Sequence, residues 1–376
     1  MSRVAVLGLG AMGLPIALRL AECGHETRAW NRTPGRADLA GSAVRRCATV
    51  AEATADAEFV LTVVADDAAL RSVLAQVLDP GVPGVTVLNL GTVSSATVRE
   101  LAALAAEHKV DLVDAGMLGN AVHAGTGELR FYLGGDDEQV ALVRGLLGDL
   151  GKEITHVGPL GAGMDLKLVL NLVMGLEMQA LGEATALGES LGLSRRTVLD
   201  TISGSGFGAP VMRFKSRRMI AGRYGGPDFR LALMTKDLDL AVAAANGAVD
   251  GVLDGATGGE VALPMSTAAR DAHRSAVAAG WGEQDCAAIA DALAGGPATE
   301  PKPMLGGPPA GGPVGGGPPG GRPASVGTPT AGPANGGRPG PGGSLSAAPV
   351  AGGRPVDAES TGVVRTGAGQ QGGGMP

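Results

Sequence analysis

The apolar run Val4-Ala5-Val6-Leu7 feeding Gly8-Leu9-Gly10-Ala11-Met12-Gly13 constrains this chain more than any other feature. It reads as a buried parallel strand turning sharply into a helix. The glycines let the backbone approach a pyrophosphate lying at the helix's positive end. Pro15 falls near the start of that helix, where a missing N–H costs little. In a chain with 64 glycines such a string can arise by chance. Its setting gives it weight: a strand precedes it, an amphipathic helix follows, and a second strand, Glu26–Trp30, comes at the right distance. Gly8, Leu9, Gly10, Ala11, Met12 and Gly13 are therefore expected to bind a dinucleotide.

The second strand ends on Asn31-Arg32-Thr33, where an acidic residue would take the adenosine ribose of NAD. A guanidinium, a hydroxyl and nearby Arg36 instead suit a phosphate on that ribose, because Arg offers paired charge-assisted donors. NADP (as NADPH) is thus expected over NAD, with Asn31, Arg32, Thr33 and Arg36 in its site.

Strand and helix patterns alternate through the first half of the chain. Strands are expected at Val4–Leu7, Glu26–Trp30, Phe59–Val64, Thr86–Asn89, Val110–Asp114 and around Arg130–Gly134, with helices between them. Such alternation implies an α/β, Rossmann-type doubly wound parallel sheet covered on both faces. From Gly163 onward strand signals vanish. A long helix over Leu166–Leu191 leads into an all-α region, with Ser194 as an N-cap and helices at Phe229–Asn246, Met265–Ala279 and Asp285–Ala294. The expected organisation is a cofactor domain over 1–160, a helical substrate and dimerisation domain over 161–296, and a tail over 297–376.

From Pro301 to Pro376 the tail holds 24 Gly and 15 Pro in 76 residues, so it is expected to be a disordered, solvated spacer. It carries a charge of +3 within a net charge of −7, which leaves the remainder near −10 and argues against nucleic acid as a partner. Cys23, Cys47 and Cys286 lack metal-ligand spacing, so neither a disulfide framework nor structural zinc is expected. No secretory pattern opens the sequence, and Lys167, Asn171, Glu177, Gln179, Glu183 and Glu189 interrupt the apolar stretch Leu166–Leu193. That excludes this stretch as a membrane span and leaves a cytoplasmic enzyme as the expectation.

Four ordered segments resemble the β-hydroxyacid dehydrogenase family, which includes 3-hydroxyisobutyrate dehydrogenases and glyoxylate/succinic semialdehyde reductases. They are Gly8 to Pro15 with Asn31-Arg32-Thr33; Asn89-Leu90-Gly91-Thr92-Val93-Ser94; Asp114-Ala115-Gly116-Met117-Leu118-Gly119-Asn120; and Gly161-Ala162-Gly163 followed by Lys167 and Asn171. Lys236-Asp237 matches a further Lys-Asp pair. The resemblance spans about residues 3–294. It implies Thr92 beside the nicotinamide ribose, Lys236 reaching the cofactor, and Leu118, Gly119 and Asn120 at the substrate. It also implies a homodimer or homotetramer in which the long helix packs between subunits. Val64 and Ala65 are expected on the adenine side, although packing alone would explain them equally.

Hydride transfer to a carbonyl leaves an alkoxide, so an acid must deliver a proton to oxygen. Lys167 suits that role, and Asn171, four residues later, lies on the same helix face and can orient a small-molecule substrate. A lysine snorkelling from an apolar helix is the bland alternative, but the flanking Gly161-x-Gly163 and Asn171 favour catalysis. The sequence departs from the family at Leu118, where a serine hydroxyl would help hold a carboxylate; Gly116 replaces a proline and Asn120 a glycine. Small 3-hydroxy acids are therefore expected to be poor substrates. An imine reductase is the alternative enzyme, although such enzymes usually carry Asp or Tyr where Lys167 stands. A non-catalytic nucleotide-binding scaffold worked by its tail is the alternative of another class.

Overall fold

The computed structural model describes residues 1–35, 38–79, 84–247 and 261–298, which belong to one compact unit. An eight-stranded sheet has the spatial order β3-β2-β1-β4-β5-β6-β7-β8. Its strands are β1 (Arg3–Leu7), β2 (Glu26–Trp30), β3 (Arg45–Arg46), β4 (Phe59–Thr62), β5 (Thr86–Asn89), β6 (Asp111–Leu118), β7 (Leu129–Gly134) and β8 (Gly151–Gly158). The sheet is the expected doubly wound, parallel one except for a single pair: β6 and β7 run antiparallel, Asp114 opposite Gly134. Only a short stretch separates these two strands, too little for a parallel crossover, which takes a dozen residues or more.

Alternation along β1 divides the core. Val4 and Val6 face one layer, with α1 (Gly13–Glu22) and α6 (Asp137–Gly148), while Ala5 and Leu7 face the other, with α2 (Val50–Thr54), α3 (Asp67–Leu78) and α4 (Ser95–Glu107). Both faces are buried, which is why these strands read as apolar runs without polar alternation. The edge strand β8 is half-exposed along most of its length and carries no such run. A short helix, α5 (Ala121–Thr126), fills the connection from β6 to β7.

The 29-residue α7 (Ala162–Ser190) begins one turn earlier than its apolar pattern, on the glycines of Gly161-Ala162-Gly163. Around it pack α8 (Arg195–Gly204), α9 (Pro210–Ala221), α10 (Leu231–Ala245), α11 (Pro264–Ala276) and α12 (Ile289–Leu293), with no further strand among the described residues. Ser194 does cap α8, its hydroxyl accepting from the Thr197 N–H. A third apolar cluster holds this layer, including Met178 and Leu181 of α7, Leu199, Met219, Met234, Leu238 and Trp281. The expected helix Met265–Ala279 ends early: after α11 the chain widens into one π-turn over Val277–Trp281, broken at Gly280 with φ 95°. Arg36, and nearly all of the 297–376 tail, lie outside the described residues.

Candidate active site

The C-terminal ends of β1, β4 and β5 converge on one edge of the sheet, at the switch point between β1 and β4 where ligands bind in doubly wound folds. Close backbone approach is built in here. Gly8, at φ 105°, faces the Val63 carbonyl, and a Cβ on Gly91 would come 2.5 Å from the Val64 carbonyl oxygen. A Cβ on Gly10, by contrast, would meet nothing within 4 Å, so its face of the turn is open. The N–H groups of Gly10, Ala11, Met12 and Gly13 donate no hydrogen bond among the described residues, and they sit at the N-terminus of α1. Open space beside unspent donors at a helix start fits a pyrophosphate.

Asn31 has a different part from Arg32 and Thr33. Its Oδ1 accepts from the Leu9 N–H at 2.9 Å and its Nδ2 donates to the Thr33 carbonyl at 2.9 Å, so it fixes the glycine turn to the end of β2. Arg32 and Thr33 are exposed at that end, and Val64 and Ala65 follow β4 along the same edge.

Beyond β5, Thr92 is half-buried, and its hydroxyl makes no hydrogen bond among the described residues. The loop holding it is anchored by Asp67, whose carboxylate accepts from the Ser94 N–H and from the hydroxyls of Ser94 and Thr97. Burial would raise the Asp67 pKa, but those hydrogen bonds outweigh it and hold the group below the ordinary carboxylate value.

Lys167 is carried to the crevice by α7, whose start is locked onto the sheet. Asp114 of β6 is fully buried, and its two oxygens accept from the Gly161 and Met164 N–H groups at 2.7 Å each. Burial pushes this carboxyl up to about 6. A Cβ on Gly116 would lie 2.6 Å from the Gly163 carbonyl oxygen and 3.1 Å from Lys167 Cβ, and one on Gly163 would lie 2.7 Å from Asp114 Oδ2. Missing side chains on facing residues thus let the helix descend onto β6 until the stem of Lys167 touches it.

The Lys167 side chain is half-buried, and its amine has no hydrogen bond or ion pair among the described residues. Burial lowers its pKa below the ordinary lysine value; the Asp237 carboxylate opposes that shift and the Lys236 charge adds to it. One turn on, Asn171 is buried and donates to Asp237 Oδ2 at 2.5 Å. Lys236 donates to the Thr92 carbonyl and lies 2.8 Å from Asp237 Oδ1, an ion pair without hydrogen-bond alignment. Asp237 therefore organises Asn171 and Lys236 together. Sequence reading passed over Asp237 and Asp114 as organisers, although both stand inside motifs quoted for the resemblance. At the end of β6, Leu118 is half-buried, Gly119 exposed and Asn120 half-buried.

Comparison with known proteins accords with this arrangement. Residues 3–158 match the NAD binding domain of 6-phosphogluconate dehydrogenase, and residues 161–293 match the domain described as NAD-binding of NADP-dependent 3-hydroxyisobutyrate dehydrogenase. A probable 3-hydroxyisobutyrate dehydrogenase of Mycobacterium tuberculosis is 33% identical over 66% of this chain and 87% of its own length. The solved M. tuberculosis 3-hydroxyisobutyrate dehydrogenase with L-serine superposes with a TM-score of 0.66 at 28% identity, covering 78% of this chain and 99% of that one. An imine reductase from Pseudomonas sp., at 23% identity and a TM-score of 0.50 over 78% of this chain and 99% of its own, shares the fold. No described helix is long and apolar enough to cross a membrane. The chain belongs to the β-hydroxyacid dehydrogenase family of NAD(P)-dependent oxidoreductases.

Proposed function

We propose that this protein is a cytoplasmic, NADPH-preferring reductase of carbonyl compounds in which Lys167 is the general acid. The observation carrying this reading is the unpaired Lys167 amine, held at the substrate end of the crevice by the Asp114 and Gly163 packing. A bound nicotinamide supplies the hydride. Lys167 Nζ donates its proton to the carbonyl oxygen as that oxygen becomes an alkoxide, and in the reverse direction the neutral amine takes the hydroxyl proton. Its lowered pKa narrows the gap between those two states. Asn171, with one N–H fixed on Asp237, turns the rest of its amide to the substrate. Gly8–Gly13 receive the pyrophosphate, Thr92 and Lys236 border the nicotinamide, and Arg32, Thr33 and Arg36 receive the 2′-phosphate.

A homodimer accompanies this reading. On α7 and its C-cap, Val169, Val173, Leu187 and Leu191 are 58, 49, 61 and 70% exposed, and they lie on one stripe with Leu176, Ala180 and Ala184. The stripe is symmetric about Ala180: each apolar residue before it has a counterpart at the same spacing after it. An antiparallel copy of the same helix would match it in register, as a twofold interface requires.

The test is a titration of purified protein with NADPH and NADH, followed by NADPH oxidation with aldehydes, ketones and cyclic imines. Tighter binding of NADPH, lost in Arg32→Ala, and turnover of an aldehyde or ketone are expected. Tighter NADH binding, or turnover confined to imines, would refute the reading.

A further inference from the structure

The geometry points to Asp67 as a positioning residue for the nicotinamide half of the cofactor: acting through Ser94 and Thr97, it sets the place of Thr92 and of the Lys236 amine. This rests on the cofactor placement in the reading above and adds to it a residue outside every motif quoted for the family resemblance.

Two loops line this edge of the sheet. One leaves β4 and carries Val64 and Ala65 into α3; the other leaves β5 and carries Thr92 into α4. The second loop is tied at both ends. At its β5 end the Asn89 amide accepts from the Gly91 N–H at 3.3 Å and donates to the Gly91 carbonyl at 3.0 Å. At its α4 end it is tied by Asp67 of α3. Asp67 Oδ1 accepts from the Ser94 N–H at 2.9 Å, and Oδ2 accepts from the hydroxyls of Ser94 and Thr97 at 2.7 and 2.9 Å. Between these ties Thr92 is half-buried and the Val93 side chain is buried in the core.

Hydrogen bonds to an ionised acceptor are the strong ones, and three converge on this carboxylate. Its charge is also well placed. Asp67 stands in the first turn of α3 and contacts Ser94, the N-cap of α4, so it meets the positive ends of two helices. The start of α1, by contrast, keeps unspent donors for the pyrophosphate. The anchored loop then reaches across the crevice. The Thr92 carbonyl accepts from Lys236 Nζ, and Lys236 pairs with Asp237, the residue that holds Asn171. One carboxylate on α3 therefore fixes a loop on which the helical layer also rests.

Removing that carboxylate frees the α4 end of the loop. Molecules with Thr92 displaced bind nicotinamide less well, so apparent affinity falls with the fraction that keeps Thr92 in place. The adenosine half, which in this reading lies at the ends of β1, β2 and β4, does not use the loop.

The experiment measures calorimetric Kd values of the full-length protein for NADPH and for 2′,5′-ADP, which carries the phosphorylated adenosine half without nicotinamide. The wild type should bind NADPH the more tightly. Asp67→Ala should weaken NADPH binding by about tenfold and 2′,5′-ADP binding by less than about twofold. Asp67→Asn, whose Oδ1 still accepts from the Ser94 N–H, should bind NADPH within about threefold of the wild type. Should Asp67→Ala fold poorly, Thr97→Val removes one of the three donors and should weaken NADPH by about threefold or more with the same selectivity. A loss shared equally by both ligands, or an NADPH Kd changed by less than about twofold, would show that Asp67 serves stability alone. Either result would overturn the assignment while sparing the reductase reading. A wild type that binds neither NADPH nor 2′,5′-ADP would overturn both.

Discussion

Replacing Gly163 with alanine tests whether packing at the start of α7 sets the position of Lys167. The added methyl would lie inside contact distance of the Tyr132 carbonyl oxygen and 2.7 Å from Asp114 Oδ2, against an ordinary contact of 3.4 Å or more. Neither neighbour can swing aside: one is backbone within β7, and the other is a buried carboxylate held by two N–H groups. The first turn of α7 must therefore lift by about 1 Å to clear the Tyr132 carbonyl, carrying Lys167 with it. Overpacking of this kind costs about 1–3 kcal/mol, and a displacement approaching 1 Å at a reacting group costs up to about a hundredfold in rate. Urea unfolding should show that loss of stability. The kcat should fall by about ten- to a hundredfold, while the Kd for NADPH, set by the crevice around β1 and β4, stays within about twofold. Gly145→Ala provides the control, because a Cβ there meets nothing within 4 Å inside α6; it should stabilise the protein by about 0.4–1 kcal/mol. A Gly163→Ala variant with unchanged kcat and unchanged stability would show that α7 is not registered by this contact.

Lys167→Met should reduce kcat by about 10²- to 10⁴-fold with NADPH binding retained, and wild-type carbonyl reduction should fall as pH rises through a pKa below the free-lysine value of about 10.4, seen in a pH–rate profile. Asp114 has its pKa raised to about 6 in the folded protein, so folding favours its protonated form. Stability from this group is therefore greatest below about pH 4 and declines as pH rises to about 6, by on the order of 3 kcal/mol. Urea midpoints across that window should fall for the wild type and stay flatter for Asp114→Asn. Ala180→Glu, at the centre of the exposed α7 stripe, should convert a dimer to a monomer in light scattering, whereas Glu107→Lys on α4 should not.

The parts of this fold legible in the sequence are those whose physics is local. The turn Gly8–Gly13 announces itself because only glycine permits the approach of Gly8 to Val63, and β1 is apolar from Val4 to Leu7 because both its faces are covered there. Lys167 and Asn171 share a helix, so their common face follows from a spacing of four. What escaped reading is non-local. The basic stretch Arg213 to Arg218 resembles a solvated face, yet α9 buries Lys215 and Arg218 against Asp285 and Asp228, and an ion pair between distant segments leaves no periodicity. The edge strand β8 lacks an apolar run because half-exposed residues need none, and the two-residue β3 is too short to signal itself. Asp237 binds Asn171 across 66 positions of sequence. The same distinction separates the two halves of the chemistry. The proposed proton donor, Lys167, stands on a single helix and is readable, whereas the groups that shift its proton affinity, Asp237 and Lys236, reach it from another helix. Leu118 stands out in the sequence as a missing hydroxyl, whereas the bond from the Asn120 N–H to His123 becomes visible only when α5 is folded.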